Sequence, residues 1–316
     1  MAEEHLFKTT YASPEAFMDQ HIKVQEILVK ERETAVKQSG YWTIIWQRFA
    51  RNKAAVFGLI CFLFILVVTL FAGFIAPYQP DEIVGGFLQS PTSAHWLGTD
   101  EIGRDVFSRL LYGGQVSMFV GLVSVLIYAA IGTSLGLLAG FLGGIWDFVI
   151  MRLTEVIMSF PYFLVVLVAV GILGPSIWNV TIVIGLFGWA PLCRLVRAEV
   201  MKLREADYIQ AAIASGYSTG NIVFKQIVPN ILSPILVNMT FGISTAIITE
   251  ASLSFLGVGV VPPTASWGNL LTAAQSLSVL TMQAWRWVPV GVAVFLAVLS
   301  INFIGEGLRS AVEGEI

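Results

Sequence analysis

Val156-Ile-Met-Ser-Phe-Pro161-Tyr-Phe-Leu-Val-Val-Leu-Val-Ala-Val-Gly171-Ile-Leu-Gly174-Pro-Ser-Ile-Trp-Asn-Val-Thr-Ile-Val-Ile-Gly-Leu-Phe-Gly-Trp-Ala-Pro-Leu-Cys193 runs for 38 residues without an Asp, Glu, Lys or Arg. A membrane span takes about 20 apolar residues, so this run is too long for one. Gly171-Ile-Leu-Gly174-Pro175-Ser176 interrupts it with a strong turn signal. The stretch therefore predicts a hairpin of two helices, 154–172 and 177–195. Its reading sets the span count for the whole chain.

Five more charge-free runs flank it: 54–80, 110–146, 226–249, 251–285 and 287–305. The first predicts a span over 54–76, stopped by Pro77 and Pro80, and the second a span over 115–140 between Gly113-Gly114 and Gly143-Gly144. The third and fourth share a helix over 233–256 with Glu250 inside it, ended by Gly257, Gly259 and Pro262-Pro263. The last predicts a span over 287–308. The expected fold is all-α: a polytopic membrane protein of six transmembrane helices. Lys and Arg test the topology through the positive-inside bias. With both termini cytosolic, 15 basic residues fall inside and 3 outside. That places 77–114 and 257–285 outside and the loop 194–232 in the cytosol.

Composition agrees. Of 316 residues 56% are apolar and 12% charged, where an ordinary soluble chain carries about 25% charged; the mean hydropathy is +0.78. A net charge of −3 offers no basic footprint for nucleic acid. Cys61 and Cys193 stand alone in apolar runs, with neither metal nor redox spacing. His5, His21 and His95 are scattered, so no metal site or catalytic triad is expected. Asn179-Val-Thr and Asn238-Met-Thr fit the glycosylation pattern by coincidence, Asn238 being inside a span.

Residues 1–53 read as a cytosolic arm and 54–316 as the six-helix domain. Within the arm, 15–38 is a weakly amphipathic helix, and Tyr41, Trp42, Ile44, Ile45, Trp46 and Phe49 form an interfacial elbow against membrane lipids. Outside, Thr99 or Asp100 is expected to cap a short surface helix. Its apolar face carries Ile102, Val106, Leu110 and Leu111; its polar face carries Glu101, Arg104, Asp105, Ser108 and Arg109. Asp100, Glu101, Arg104 and Asp105 are the candidate contacts for an external partner, against a plain interfacial brace. Gly132, Gly136, Gly140 and Gly144 repeat every four residues and permit close helix packing. Glu250 is the one carboxylate in the apolar part of its span, where an ionisable group is expensive. It is a candidate for the translocation pathway with Asn238 and Thr249; the rival reading is a structural hydrogen bond.

The cytosolic loop is the most informative segment. Glu205 to Ser215 predicts a helix, with Ala206, Ala211 and Ala212 as small contacts; Gly216 supplies a left-handed end. Ser218 caps a second short helix, which Pro229 stops. Gln210-Ala211-Ala212, then Gly216, then Pro229 resembles the Glu-Ala-Ala loop of ABC importer membrane subunits, with Gln210 in place of Glu and Val228 in place of Leu. Further pieces are similar to the oligopeptide/dipeptide permease C-type subunit: Arg51 to Ile60, His95 to Gly114, Glu250 to Gly259, Ser266-Trp-Gly268, Asn302 to Arg309, and Asp147, Arg152 and Ser159-Phe-Pro161, with Glu155 where Asp is usual.

That resemblance, over about 50–316, implies a type I ABC importer permease. Its partners would be a homologous second permease, two ATPase subunits and an external substrate-binding protein. Peptides are the implied cargo, with nickel chelates and oligosaccharides as alternatives within the family. No Gly-Lys-Ser/Thr occurs, so ATP and Mg belong on the partner subunits and the chain is not itself an enzyme. An ion-driven secondary transporter predicts paired intramembrane charges and repeated halves. An intramembrane enzyme predicts clustered catalytic side chains inside the spans.

Overall fold

The computed structural model describes residues 41–314. The helix expected over 15–38 lies outside them. Helix α1 (Tyr41–Arg51) is amphipathic: Ile45 and Phe49 are buried while Trp42 and Trp46 are exposed. Asn52 then caps α2 (Lys53–Leu70), its Oδ1 accepting the N–H groups of Ala54 and Ala55, both at 3.1 Å. A short turn, α3 (Ala72–Ile75), leads into an irregular segment pinned by bridges between Ile83 and Arg104 and between Thr99 and Asp105.

Helix α4 (Val106–Leu142) runs for 37 residues. Next come α5 (Gly144–Met158) and α6 (Tyr162–Leu173), bent by 84° at Ser159-Phe-Pro161. Pro161 withdraws a backbone donor and biases Phe160 away from helix, which accounts for the break. Helix α7 (Ile177–Arg204) follows, then α8 (Asp207–Ala214) and α9 (Thr219–Ile222). A π turn, Val223–Ile227, joins α9 to α10 (Val228–Phe255). Beyond lie α11 (Trp267–Leu271), α12 (Leu277–Met282) and α13 (Ala284–Glu313). Among the described residues five helical stretches are long and apolar enough to cross a membrane, and six if the bent pair counts as one span.

Three expectations need correction. The single helix expected over 154–172 is broken, α5 ending at Met158 and α6 beginning at Tyr162 across the 84° bend. Gly113-Gly114 is no turn, because α4 runs straight through it: a Cβ on Gly113 would lie 3.1 Å from the Ser266 carbonyl carbon, and Gly114 abuts Thr69 and Trp267. These glycines are there for close approach. Nor does Pro229 stop a helix; it sits in the first turn of α10, where a missing N–H costs nothing. The widened turn before it keeps its ring off the preceding carbonyl, so α9 and α10 read as one continuous rod.

Helices α4 and α7 make the most extensive pair. A Cβ on Gly132 would lie 2.8 Å from Trp189 O, on Gly136 2.7 Å from Val196 Cβ, and on Gly140 2.8 Å from Val200 Cβ. Gly144 is different: its φ is +56° and nothing lies within 4 Å of its Cβ position. It turns the chain into α5 and packs no helix.

Helices α10 and α13 run antiparallel, Thr240 beside Gly305 and Ser244 donating to Val298 O at 3.4 Å. The end of α13 meets α1 through Ala311 against Ile45 and Phe49, and Arg48 donates to Ala311 O at 3.2 Å. Both ends of the described chain thus sit at the end of the bundle that carries α8 and α9. Large exposed side chains such as Phe57, Phe64, Phe74, Phe148, Val168 and Ile172 stud the perimeter. In water that surface would be an aggregation hazard; in lipid it costs nothing.

Candidate functional site

At one end of the bundle α8 packs its inner face, Ile209 and Ala212, into the core that also holds Ile222, Ile227, Val196 and Val200. Tyr208, Gln210, Ala211, Ile213 and Tyr217 face outward. The helix ends in a complete Schellman motif: Gly216 N–H donates to Ile213 O at 3.0 Å and Tyr217 N–H to Ala212 O at 3.2 Å. Gly216 has φ +76° and open space around its Cβ position, so only backbone conformation demands glycine there. Ser218 stands at the start of α9 without a side-chain capping bond. Glu205 is the C-cap of α7 and Ala206 the N-cap position of α8.

Gln210 explains itself chemically. Its amide nitrogen donates to Arg204 O at 2.7 Å, satisfying a carbonyl at the end of α7. An ionised carboxylate has no hydrogen to give, so Gln210→Glu is expected to free the α7–α8 corner. Faster proteolytic nicking of this segment in detergent would report it, and unchanged nicking would contradict it. A second tie fixes the same end: Arg197 grips Asp147 of α5 in a bidentate pair, Nη2 to Oδ2 at 2.6 Å and Nε to Oδ1. The match of Asp147 was visible in the sequence, but its partner was not, 50 residues away.

In the bundle's middle lies a cavity of about 470 Å³. Its wall comprises Tyr128 of α4; Ile184, Phe187 and Pro191 of α7; Asn238, Phe241, Gly242 and Thr245 of α10; and Phe160 and Tyr162 at the α5–α6 bend. Pro191 has no N–H to offer the Phe187 carbonyl, which leaves a backbone acceptor in the wall. No Asp, Glu, Lys, Arg or His lines this cavity. Of the three pathway candidates only Asn238 reaches it. Thr249 donates to Thr245 O at 2.7 Å, and Glu250 is 0% exposed with both oxygens engaged by serines. Glu250 thus lies outside the cavity wall and makes buried hydrogen bonds to Ser117 and Ser254. The aromatic lining went unread because its residues come from four segments spread from Tyr128 to Ala246, all apolar in the sequence.

The opposite end of the bundle also departs from expectation. No helix begins at Thr99 or Asp100; Asp105 is the cap, accepting Ser108 N–H at 2.7 Å. Asp100, Arg104 and Asp105 are not on the surface. Asp100 accepts Arg104 Nε at 2.7 Å and the Ile102 and Arg104 backbone N–H groups at 3.0 Å. Asp105 holds His95 Nδ1 at 3.0 Å. Arg109 donates to Pro80 O at 2.8 Å. These charges are spent folding the segment between α3 and α4. Glu101 alone of the four is exposed, and it pairs with Arg286.

Long apolar rods around an uncharged central cavity, with a compact polar-ended helix pair at one end, define a polytopic α-helical membrane protein with an internal pocket. The family comparison makes the class specific. A model described as the binding-protein-dependent transport system inner membrane component matches residues 132–315, and one for the N-terminal transmembrane domain of oligopeptide transport permease C matches 40–91. The chain belongs to this family of transport-system inner membrane components. A putative peptide permease protein of Brucella suis is 42% identical over 266 residues, covering 84% of this chain and 88% of the relative. A dipeptide transport system permease protein of Haemophilus influenzae is 37% identical over 280 residues, covering 86% and 94%. A glutathione transport system permease protein of Pectobacterium atrosepticum is 37% identical over 277 residues, covering 87% and 91%.

Proposed function

We propose that this chain is a permease subunit of an ATP-driven importer carrying short peptides across the cytoplasmic membrane by alternating access. One observation carries the reading. The outward-facing helix α8 is welded to α7 through Gln210 and Arg204 O, and α9 continues into α10 as one rod. Helices α7 and α10 are the two that wall the cavity at Phe187–Pro191 and Asn238–Thr245. A push on α8 by a docked partner therefore reaches both walls, with no soft loop between. Glu205, Ala206, Gln210, Ala211, Ala212, Gly216 and Pro229 build this lever. The names of the relatives, peptide, dipeptide and glutathione permeases, support short peptides as cargo. The partners are a homologous second permease, two ATPase subunits carrying ATP and Mg, and an external binding protein. An ion-driven rival would draw on the broken α5–α6 pair, but among the described residues no Asp, Glu, Lys, Arg or His lines the cavity to couple an ion.

Purification in mild detergent followed by reconstitution tests this. Two P-loop ATPase subunits should co-elute, and vesicles holding the complex should take up a labelled dipeptide only with ATP. Uptake by the lone chain under an ion gradient would overturn the reading. Topology is tested separately, with Cys61 and Cys193 replaced. A cysteine at Ser278, which is exposed, should react with an impermeant maleimide from outside intact cells, and one at exposed Lys225 should not. Labelling at 225 from outside would invert the orientation.

A further inference from the structure

The segment after α10 folds back over the bundle. Trp267 is 1% exposed, its Nε1 donating to Leu110 O at 3.0 Å. A Cβ on Gly268 would lie 2.6 Å from Ala251 Cα. Asn269 closes the segment on itself, donating to Val260 O at 3.2 Å and Thr264 O at 2.7 Å. Residues 258–269 thus form a strap: its start is tied to α10 by the Val258 and Gly259 N–H groups on Leu253 O, at 3.1 and 3.0 Å, and its Val260 and Trp267 N–H groups are tied to α10 and α4 through serines that converge on one carboxylate. Ser117 Oγ of α4 donates to Glu250 Oε2 at 2.7 Å and accepts Trp267 N–H at 3.2 Å. Ser254 Oγ of α10 donates to Glu250 Oε1 at 2.8 Å and accepts Val260 N–H at 2.9 Å. Each serine has one hydrogen. By giving it to Glu250, each turns its lone pairs toward a strap amide.

We infer that Glu250 is the positioning residue of this strap, acting through Ser117 and Ser254, and that the strap lifts from α4 and α10 during the transport cycle. Two features argue for a releasable contact. The tie joins three elements at one level, α4, α10 and the strap, and the same two helices line the cavity further along through Tyr128 and Asn238–Ala246. The polar part of the tie is made of serine hydroxyls and backbone amides, which exchange readily with water, so lifting has to overcome chiefly the packing of Trp267 among Met118, Ile247 and Val290. Lifting during the cycle rests on the importer reading; the positioning role does not.

The test uses the assembled complex in proteoliposomes with Cys61 and Cys193 replaced and a reporter cysteine at Ala265, which is within the strap and 4% exposed. Its reaction with an impermeant maleimide should be slow with Glu250 intact. It should become at least tenfold faster in Glu250→Ala and intermediate in Glu250→Gln, whose amide oxygen keeps one serine bond. Should Glu250→Ala not fold, Ser117→Ala and Ser254→Ala each remove one arm and should each give a partial rise. With Glu250 intact, trapping with ATP and vanadate should also raise the rate. Equal rates in the intact and substituted proteins would overturn the positioning role. A rise in the variants with no response to nucleotide would overturn the lifting. Absence of any ATPase partner would sink the importer reading while leaving the variant comparison valid.

Discussion

Ala211→Arg is expected to leave the chain inserted and packed while its association with the ATPase subunits falls by about tenfold or more, the scale of losing a central interface contact. Ala211 lies on the outward face of α8, between Tyr208 and Tyr217, and is exposed among the described residues. An arginine there adds bulk and charge to a surface meant for close contact and disturbs no internal packing. Ala212→Arg is a different experiment. Ala212 is 8% exposed, on the inner face beside Ile209. Charge there would unfold the lever itself, so its phenotype would not report docking. Gly216→Val sits between the two: with φ +76° it costs about 1–2 kcal/mol of backbone strain in a loosened Schellman turn. Quantitative co-purification from mild detergent ranks the three. Wild-type recovery of the ATPases with Ala211→Arg would show that this face is not the contact.

Gly136→Leu should be the most damaging substitution in the membrane. Even a Cβ at Gly136 meets Val196 Cβ at 2.7 Å and Cys193 O at 2.8 Å, and the second of these is backbone that cannot rotate away. Helix α4 must then part from α7, so the cavity wall and the lever lose their shared frame. Overpacking of this kind costs about 3 kcal/mol. Loss of the monodisperse peak and a lowered melting point in detergent would report it. Gly291→Ala is the matched control, since that helical glycine has nothing within 4 Å of its Cβ position and should be neutral or slightly stabilising. Equal behaviour of the two variants would contradict the seam.

Much of this architecture was legible because a bilayer imposes a coarse code. Charge-free length and turn residues located five spans but missed the 84° break at Ser159–Pro161 inside the helix expected over 154–172; the break at Gly171–Ser176 fell where the chain turns between α6 and α7. Gly216 was readable because a left-handed residue after an alanine-rich helix has few other uses. Gly132, Gly136 and Gly140 were readable from spacing alone, but spacing could not tell Gly144 from them. The failures share a cause. Asp100, Arg104 and Asp105 look like a solvated face in one dimension, yet they fold a loop with Thr99 and His95, and polar partners inside a loop carry no periodicity. Glu250 was recognised as costly, but its purpose required Ser117, 133 residues away. Ala212 was assigned to an outer contact because both alanines are small; only the turn of α8 decides which of them faces in.

The account stands on α8 as the element that meets the ATPase. A photo-reactive amino acid placed at Ala211, in native membranes of cells making the whole transporter, tests that most directly. The account predicts one dominant cross-linked adduct whose partner, identified by mass spectrometry, carries a P-loop and is lost when Gly216→Val is added. Adducts to lipid or to unrelated proteins alone, with the ATPase subunits present and uptake intact, would contradict it.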